Sequence, residues 1–320
     1  QGLAQGEEWQ EPKTRCMMSS SAADRAAGLM LGLAVGDDNG GPIQMALCLA
    51  ESLRDKSCYD GADVFSRYYA WWSSDGENAW DTGPTAKDVF VLVAQKCPDC
   101  ASGNFPLEKI KEAARVVHER HRGMTAGVNA VHRVAPLALA GFVTFDELVL
   151  CAEAESRMTH LHNLSLASCV AIVQICRHLV SGRGWEVSIR DVASSMTTRG
   201  TEDCRTVSAA LLCGLDIGRG SSNSKLSPGG FCPDVLTAAV CFVTRAEGSF
   251  DTGMLLSKKF AGASNYCPVL VGALLGAQVG ACVLQASRAG RRLDKIHSVA
   301  QRCRAVAEGL APTLEVVVPA

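Results

Sequence analysis

Apolar residues recur along most of this chain at three- and four-residue spacing, the period of a helix with one face turned inward. From Ala22 the pattern sets Ala23, Ala26, Met30 and Leu33 on one side. Ala46, Leu49, Ala50 and Leu53 do the same for a helix opening near Pro42, a residue suited to a first helical turn. Further helices are predicted over Asp63 to Trp72, Pro84 to Gln95, Leu107 to His121, Phe145 to Ser156, Leu161 to Leu179 and Val187 to Ser195. Glu202 to Leu215, Pro233 to Arg245, Phe250 to Phe260, Pro268 to Ala286 and Leu293 to Gly309 complete the series. Strand-like alternation is almost missing, so the expected fold is all-α, a compact orthogonal bundle of about a dozen helices.

Residues 1–20 are polar and unpatterned and are expected to be disordered. Residues 21–310 make one helical domain, and 311–320 form a tail that is a short strand or nothing. Residues 121–136, HRGMTAGVNAVHRVAP, read as a long glycine-bearing connection closing on an apolar turn. The run GRGSSNSKLSPGG, 218–230, has the composition of a surface loop or lid.

Two of the helices carry a second pattern. Gly28, Gly32 and Gly36 recur every fourth residue in GLMLGLAVGD, and Gly272, Gly276 and Gly280 do so in GALLGAQVG. On a helix each set is one stripe without side chains, and glycine in a helix interior costs about 1 kcal/mol against alanine, so a packing reason is required. Close approach of another helix, and most simply of the other stripe, supplies it. That crossing would bring the loop Asp37 to Gly41 against the loop Gly262 to Tyr266, the first candidate for a site.

Composition narrows the partners. The chain has 320 residues, is 48% hydrophobic, and mixes 31 basic with 33 acidic side chains. That balance lacks the electrostatic footprint of a nucleic-acid or anionic-membrane binder. No apolar run approaches a membrane span and no signal-peptide core is visible, so the expected location is cytoplasmic. Of the fifteen cysteines, Cys48, Cys169, Cys176, Cys213, Cys241 and Cys282 fall in apolar helical patterns and read as buried free thiols. The single CxxC, Cys97 to Cys100, lacks a second pair, and a plain loop outweighs a zinc site.

Chemistry-bearing residues are few. Trp80-Asp81-Thr82-Gly83-Pro84 presents a carboxylate and a hydroxyl at a helix N-terminus, which reads either as a site or as a cap. His160 and His162 open another helix, where one is a site residue or both serve capping and solvent. Asn129, His132 and Arg133 lie in the glycine-bearing connection, and Arg133 either grips a phosphate or braces the loop. No nucleophile triad, P-loop or dinucleotide fingerprint is present.

Seven segments in order, GLMLGLAVGD, QMALCLAESL, DTGPTA, RVAPLALAG, MTH, GGFCPDVLTAAV and GALLGAQVG, together resemble the ADP-ribosylglycohydrolase family, which also includes the J-type lens crystallins. The resemblance implies an all-helical fold, a pair of magnesium ions, and cleavage of glycosidic bonds to ADP-ribose. It implies that His160 lies against the ribose, that 126–133 wraps the diphosphate, and that Asp81 sits beside the scissile end. Thr82, Gly83, Asn129, Arg133 and Asn265 complete the implied substrate-binding set, with Asp81, Asp37 and Asp38 as candidate catalytic carboxylates.

Two departures stand out against that family pattern. Where its members carry Thr-Asp-Asp-Thr, this chain has Gly40, Gly41, Pro42 and Ile43, and where they carry Asp-x-Asp-Thr it has Ala263, Ser264, Asn265 and Tyr266. Magnesium needs hard oxygen ligands that Pro, Ile, Ala and Tyr side chains do not offer in this role. The expectation is a family member without its metals or any other cofactor. It would recognise ADP-ribose or an ADP-ribosylated molecule as a weak hydrolase, a pseudoenzyme or a crystallin-like structural protein. The alternative is an active, metal-independent hydrolase using Asp81, Asp37 or Asp38.

Overall fold

A computed structural model describes residues 20–74, 78–98, 104–221 and 225–314. Sixteen α-helices appear among them. The first eight are α1 (Ala22–Gly36), α2 (Gly41–Lys56), α3 (Gly61–Ser74), α4 (Pro84–Lys96), α5 (Leu107–Arg120), α6 (Asn129–Arg133), α7 (Phe145–Arg157) and α8 (Asn163–Val180). The second eight are α9 (Trp185–Thr198), α10 (Glu202–Gly218), α11 (Cys232–Ala246), α12 (Phe250–Ala261), α13 (Tyr266–Val279), α14 (Ala281–Ala286), α15 (Arg292–Lys295) and α16 (His297–Leu310). Among the described residues the only bridge of β type is an isolated pair, Gly127 with Phe231. The fold is therefore all-α. Residues 1–19, 315–320 and Cys100 lie outside the described residues, and with them the expectations for the N-terminal segment, most of the tail and the CxxC pair.

The glycine stripes meet as their spacing requires. A Cβ added at Gly28 would stand closer than 3 Å to the backbone of Gly276 and Gly280, one at Gly32 to Gly272, and one at Gly36 to Pro268. The relation is mutual, since Gly272 and Gly276 face Gly32 and Gly28 in the same way. α1 and α13 thus cross backbone to backbone, with no side chain between them, and both are buried along the crossing. This crossing is the axis of the core.

Local chemistry sets the helix ends. Ser21 caps α1 by accepting from Asp24 N at 3.1 Å, and Thr144 with Glu147 forms a capping box on α7. The helix expected from Pro268 to Ala286 is instead two, because Gly280 takes a left-handed φ of 84° and ends α13. Asp24 then accepts from Cys282 N at 3.0 Å and fastens the start of α14 to α1. Leu293 to Gly309 is likewise divided, at Ile296. The connection 121–136 holds a short helix of its own, α6, followed by a 3-10 turn over Ala135–Leu139.

α8 reverses one expectation. Its 18 residues are long and apolar enough by composition to cross a membrane, but 89% of them are buried inside the fold, which makes it the central core helix. Among the cysteines read as buried, Cys48, Cys169, Cys176 and Cys241 are so, whereas Cys213 is half-buried and Cys282 exposed. Periodicity places a residue on a helix; how far a neighbour covers that face is a tertiary matter.

Candidate functional site

The α1–α13 crossing delivers its two loops to one place. Asp37, the first residue past α1, is 2% exposed. Its Oδ1 accepts from Asn39 N at 3.1 Å, Gly40 N at 2.8 Å and Asn265 Nδ2 at 2.7 Å, and its Oδ2 accepts from Ile43 N at 2.8 Å. α2 begins with a left-handed Gly40 that supplies no side-chain cap, and the Asp37 carboxylate does that work from four residues upstream of Gly41. Burial raises the Asp37 pKa, while the four donors pull the other way. A carboxylate so enclosed serves as a structural cap, with three of its four donors on Oδ1 and one on Oδ2.

Asp81 comes to the same place from a kinked 3-10 turn, with φ −90° and ψ 35°. Gly41 allows the approach: a Cβ there would lie closer than 3 Å to the Asp81 backbone. Asn265 Nδ2, already bonded to Asp37, stands 3.4 Å from Asp81 Oδ2. Desolvation and the Asp37 charge raise the Asp81 pKa, partly offset by hydrogen bonds from Asn39 and Asn265. Asn39, Asp81, Asn129, His132, Ser264 and Tyr266 are among the residues lining a cavity of about 160 Å³ at this junction. Gly83, with φ 78°, abuts the Asn129 side chain and locks the Asp81 turn to the 126–133 segment. Thr82 is buried, and its hydroxyl lacks a hydrogen-bond partner among the described residues.

Asp38 is engaged otherwise. It points outward to Lys258 Nζ at 2.7 Å and Arg292 Nη1 at 2.8 Å, and Arg292 Nη2 also donates to the Asp37 carbonyl at 2.9 Å. These two cations, from α12 and α15, were not foreseen as neighbours of the acidic turn. The sequence carried no signal for them, since both are ordinary charges on helix faces.

Arg133 turns inward: the side chain is fully buried, 2.6 Å from Glu155 Oε1, with its guanidinium 5.1 Å over the Tyr68 ring. Burial opposes its charge, and the adjoining Glu155 more than compensates, so its pKa is raised. Tyr68 Oη donates to the same Glu155 oxygen at 2.9 Å. Of the two roles left open for Arg133, bracing is the one it performs.

His160 is 1% exposed, and burial together with the Arg133 charge lowers its pKa to about 3, so the ring is neutral. Its Nε2 faces Gly127, at 3.8 Å from the position a Cβ would take there. Gly127 lines a second, larger cavity of about 940 Å³, shared with His118, Arg122, Met124, His162 and Phe231. His162 is both N-cap and cavity wall, its Nδ1 accepting from Leu164 N at 3.1 Å. The segment 126–133 therefore separates the two cavities, with Gly127 on one and Asn129 and His132 on the other. His132, mentioned in sequence only as a neighbour of Arg133, is buried with its pKa lowered to about 4 by desolvation, and its Nε2 bonds the Tyr266 carbonyl at 2.7 Å.

The family-implied magnesium pair can be tested against these donors. Two carboxylates, Asp37 and Asp81, converge, one already engaged by four N–H groups. Between them lies an amide nitrogen, a donor that repels a cation. Among the described residues no group of three or more His, Cys, Asp and Glu could hold a metal ion. The donor set does not fit two magnesium ions.

The ADP-ribosylglycohydrolase family model matches residues 42–313. The ADP-ribosyl-[dinitrogen reductase] glycohydrolase of Rhodospirillum rubrum is 28% identical over 211 residues, which cover 52% of this chain and 62% of that protein. The match thus spans under two thirds of that relative's length. A solved ADP-ribosylglycohydrolase-related protein complex superposes with a TM-score of 0.69 at 20% identity, over 92% of this chain and 99% of that one, a likeness of fold.

Proposed function

The chain belongs to the ADP-ribosylglycohydrolase family, and on that premise we propose that it binds an ADP-ribose moiety and has lost most or all hydrolytic turnover together with the magnesium pair. The observation that carries this reading is Asn265 Nδ2, 2.7 Å from Asp37 Oδ1 and 3.4 Å from Asp81 Oδ2. An amide there holds the two loops together by hydrogen bonds, where a metal site would need another acceptor.

Ligand-sized space is consistent with the proposal. The small cavity beside Asp81 suits only the scissile end of a ligand, whereas the larger one reaches the range in which whole nucleotides are enclosed. An ADP-ribose laid across 126–133 would put its diphosphate over that segment, its distal ribose toward Asp81, and the remainder in the larger cavity. Arg122, which lines that cavity and is exposed, is the cation available to the diphosphate in place of Arg133.

Cleavage has less support. Asp81 is the carboxylate that borders the small cavity, where it is placed to orient a water. Asp37 is buried and engaged by four N–H donors, and Asp38 is held by Lys258 and Arg292. With no Lys or Arg lining the small cavity among the described residues, charge developing at the scissile bond would lack the stabilisation that usually supplies the largest part of such catalysis.

Calorimetry with ADP-ribose, with and without millimolar magnesium, tests the proposal. Saturable binding indifferent to magnesium, with no release of ADP-ribose from an ADP-ribosylated substrate, is the expected result. Turnover abolished by Asp81→Asn and indifferent to chelators would replace it with a metal-independent hydrolase. Turnover lost on chelation would restore the metal enzyme.

A further inference from the structure

The buried ion pair that withdraws Arg133 from the ligand also reaches His160. Arg133 Nη2 donates to Thr159 Oγ1 at 2.8 Å, and Thr159 Oγ1 stands 2.8 Å from His160 Nδ1. Thr159 is fully buried, and among the described residues its hydroxyl makes these two hydrogen bonds and no other.

Donor and acceptor bookkeeping then fixes the proton. A guanidinium N–H can only donate, so one lone pair of Thr159 Oγ1 is taken by Arg133. The threonine hydroxyl has a single hydrogen. If His160 Nδ1 carried a proton, it too would donate to Oγ1, and the hydroxyl hydrogen would be left buried with nothing to bond, a costly arrangement. If Nδ1 is bare, the hydroxyl hydrogen points at it and every group on this line is satisfied. The ring proton then sits on Nε2, which makes no hydrogen bond among the described residues and faces Gly127 at the wall of the larger cavity.

We propose that Arg133, acting through Thr159, is a positioning residue that holds His160 in the Nε2–H tautomer, so that His160 offers the ligand a hydrogen-bond donor and accepts nothing from it. The ligand atom it meets is an oxygen acceptor, such as a ribose hydroxyl or ring oxygen. The ion pair of Arg133 with Glu155 anchors the relay: Glu155 Oε1 fixes the guanidinium from behind at 2.6 Å, and Tyr68 donates to the same oxygen. A residue for which the sequence leaves open a grip on phosphate or a brace of the loop therefore acts on the ligand at one remove. The tautomer stands on the protein's own contacts, whereas the ligand contact rests on the ADP-ribose reading above.

Long-range proton–nitrogen NMR of the uniformly labelled full chain at pH 7, with no ligand, decides the tautomer, the His160 signals being assigned by their loss in His160→Gln. The expected spectrum shows a bare Nδ1 and a protonated Nε2. Thr159→Val, which keeps the shape and removes the hydroxyl, should produce a mixture of tautomers, and Thr159→Ser should restore the wild-type pattern. A protonated Nδ1 in the wild type, or a Thr159→Val spectrum identical to wild type, overturns the relay. Should Thr159→Val fail to fold, the wild-type spectrum still decides. ADP-ribose affinity should fall about tenfold in Thr159→Val and recover in Thr159→Ser. Absence of ADP-ribose binding in the wild type would overturn the ligand reading while leaving the tautomer result in place.

Discussion

Asn265 Nδ2 donates to Asp37 Oδ1 at 2.7 Å, joining residues 228 positions apart at the point where the two glycine helices release their loops. The bond does two things together. It helps satisfy a carboxylate buried at the N-terminus of α2, and it fills with an amide the space between Asp37 and Asp81. If that amide is what excludes a cation, replacing it with a carboxylate should readmit one. Asn265→Asp is expected to destabilise the protein in EDTA by about 3 kcal/mol, the cost of a buried charge without its partner. Magnesium at millimolar concentration should recover part of the loss. Thermal melts of the variant with and without magnesium check this, and a midpoint unmoved by the cation would count against the amide as the excluding group.

The glycine crossing makes a second outcome specific. Gly32→Ala gains about 1 kcal/mol of helix propensity yet drives a methyl into the Gly272 backbone, which cannot rotate away as a side chain could. Overpacking should dominate, with a net loss of about 2 kcal/mol or more in urea unfolding. Gly184→Ala, where nothing lies within 4 Å, should stay within about 1 kcal/mol of wild type. Equal effects at the two sites would remove the crossing as the axis of the core.

Acid should weaken the fold through its buried histidines. Burial lowers the folded pKa of His132 to about 4 and of His160 to about 3, against 6.5 for an unhindered ring. Between those limits the unfolded chain binds the protons and the folded chain does not, so stability is held above pH 6.5 and declines as pH falls. Each ring contributes about 1.4 kcal/mol per pH unit inside its window. Urea midpoints taken from pH 7 to pH 5 should therefore fall, and the fall should be shallower by one histidine's share in His160→Gln. An unchanged slope would show that His160 titrates normally in the folded state.

Arg133 and Arg122 should separate stability from binding. Arg133→Met leaves Glu155 charged and buried, and is expected to cost about 3 to 5 kcal/mol in folding. Arg122→Ala removes an exposed side chain and should leave the urea midpoint almost unmoved while weakening ADP-ribose binding about tenfold, the scale of one charge-assisted hydrogen bond. A stable Arg133→Met that loses affinity alone would return Arg133 to the diphosphate.

What the sequence determined follows from local rules. Helical spacing of apolar residues specifies an all-α chain, and six glycines too costly to keep without a packing reason specify which two helices approach most closely. From that pairing alone the meeting of Asp37 to Gly41 with the loop before Tyr266 could be read 228 residues ahead. The seven ordered segments carried the family.

The tertiary structure decided the direction of each polar side chain. Arg133 and Arg122 are both arginines flanking a glycine-bearing segment, yet one turns inward to Glu155 and the other outward to a cavity. Lys258 and Arg292 meet Asp38 because α12 ends and α15 begins nearby, and only glycine fits at the break after α13 because Asp24 of α1 occupies the space a side chain at Gly280 would need. Periodicity fixes which face of a helix is buried. Which charge waits on the other side depends on packing between elements far apart in sequence, and no local pattern encodes it.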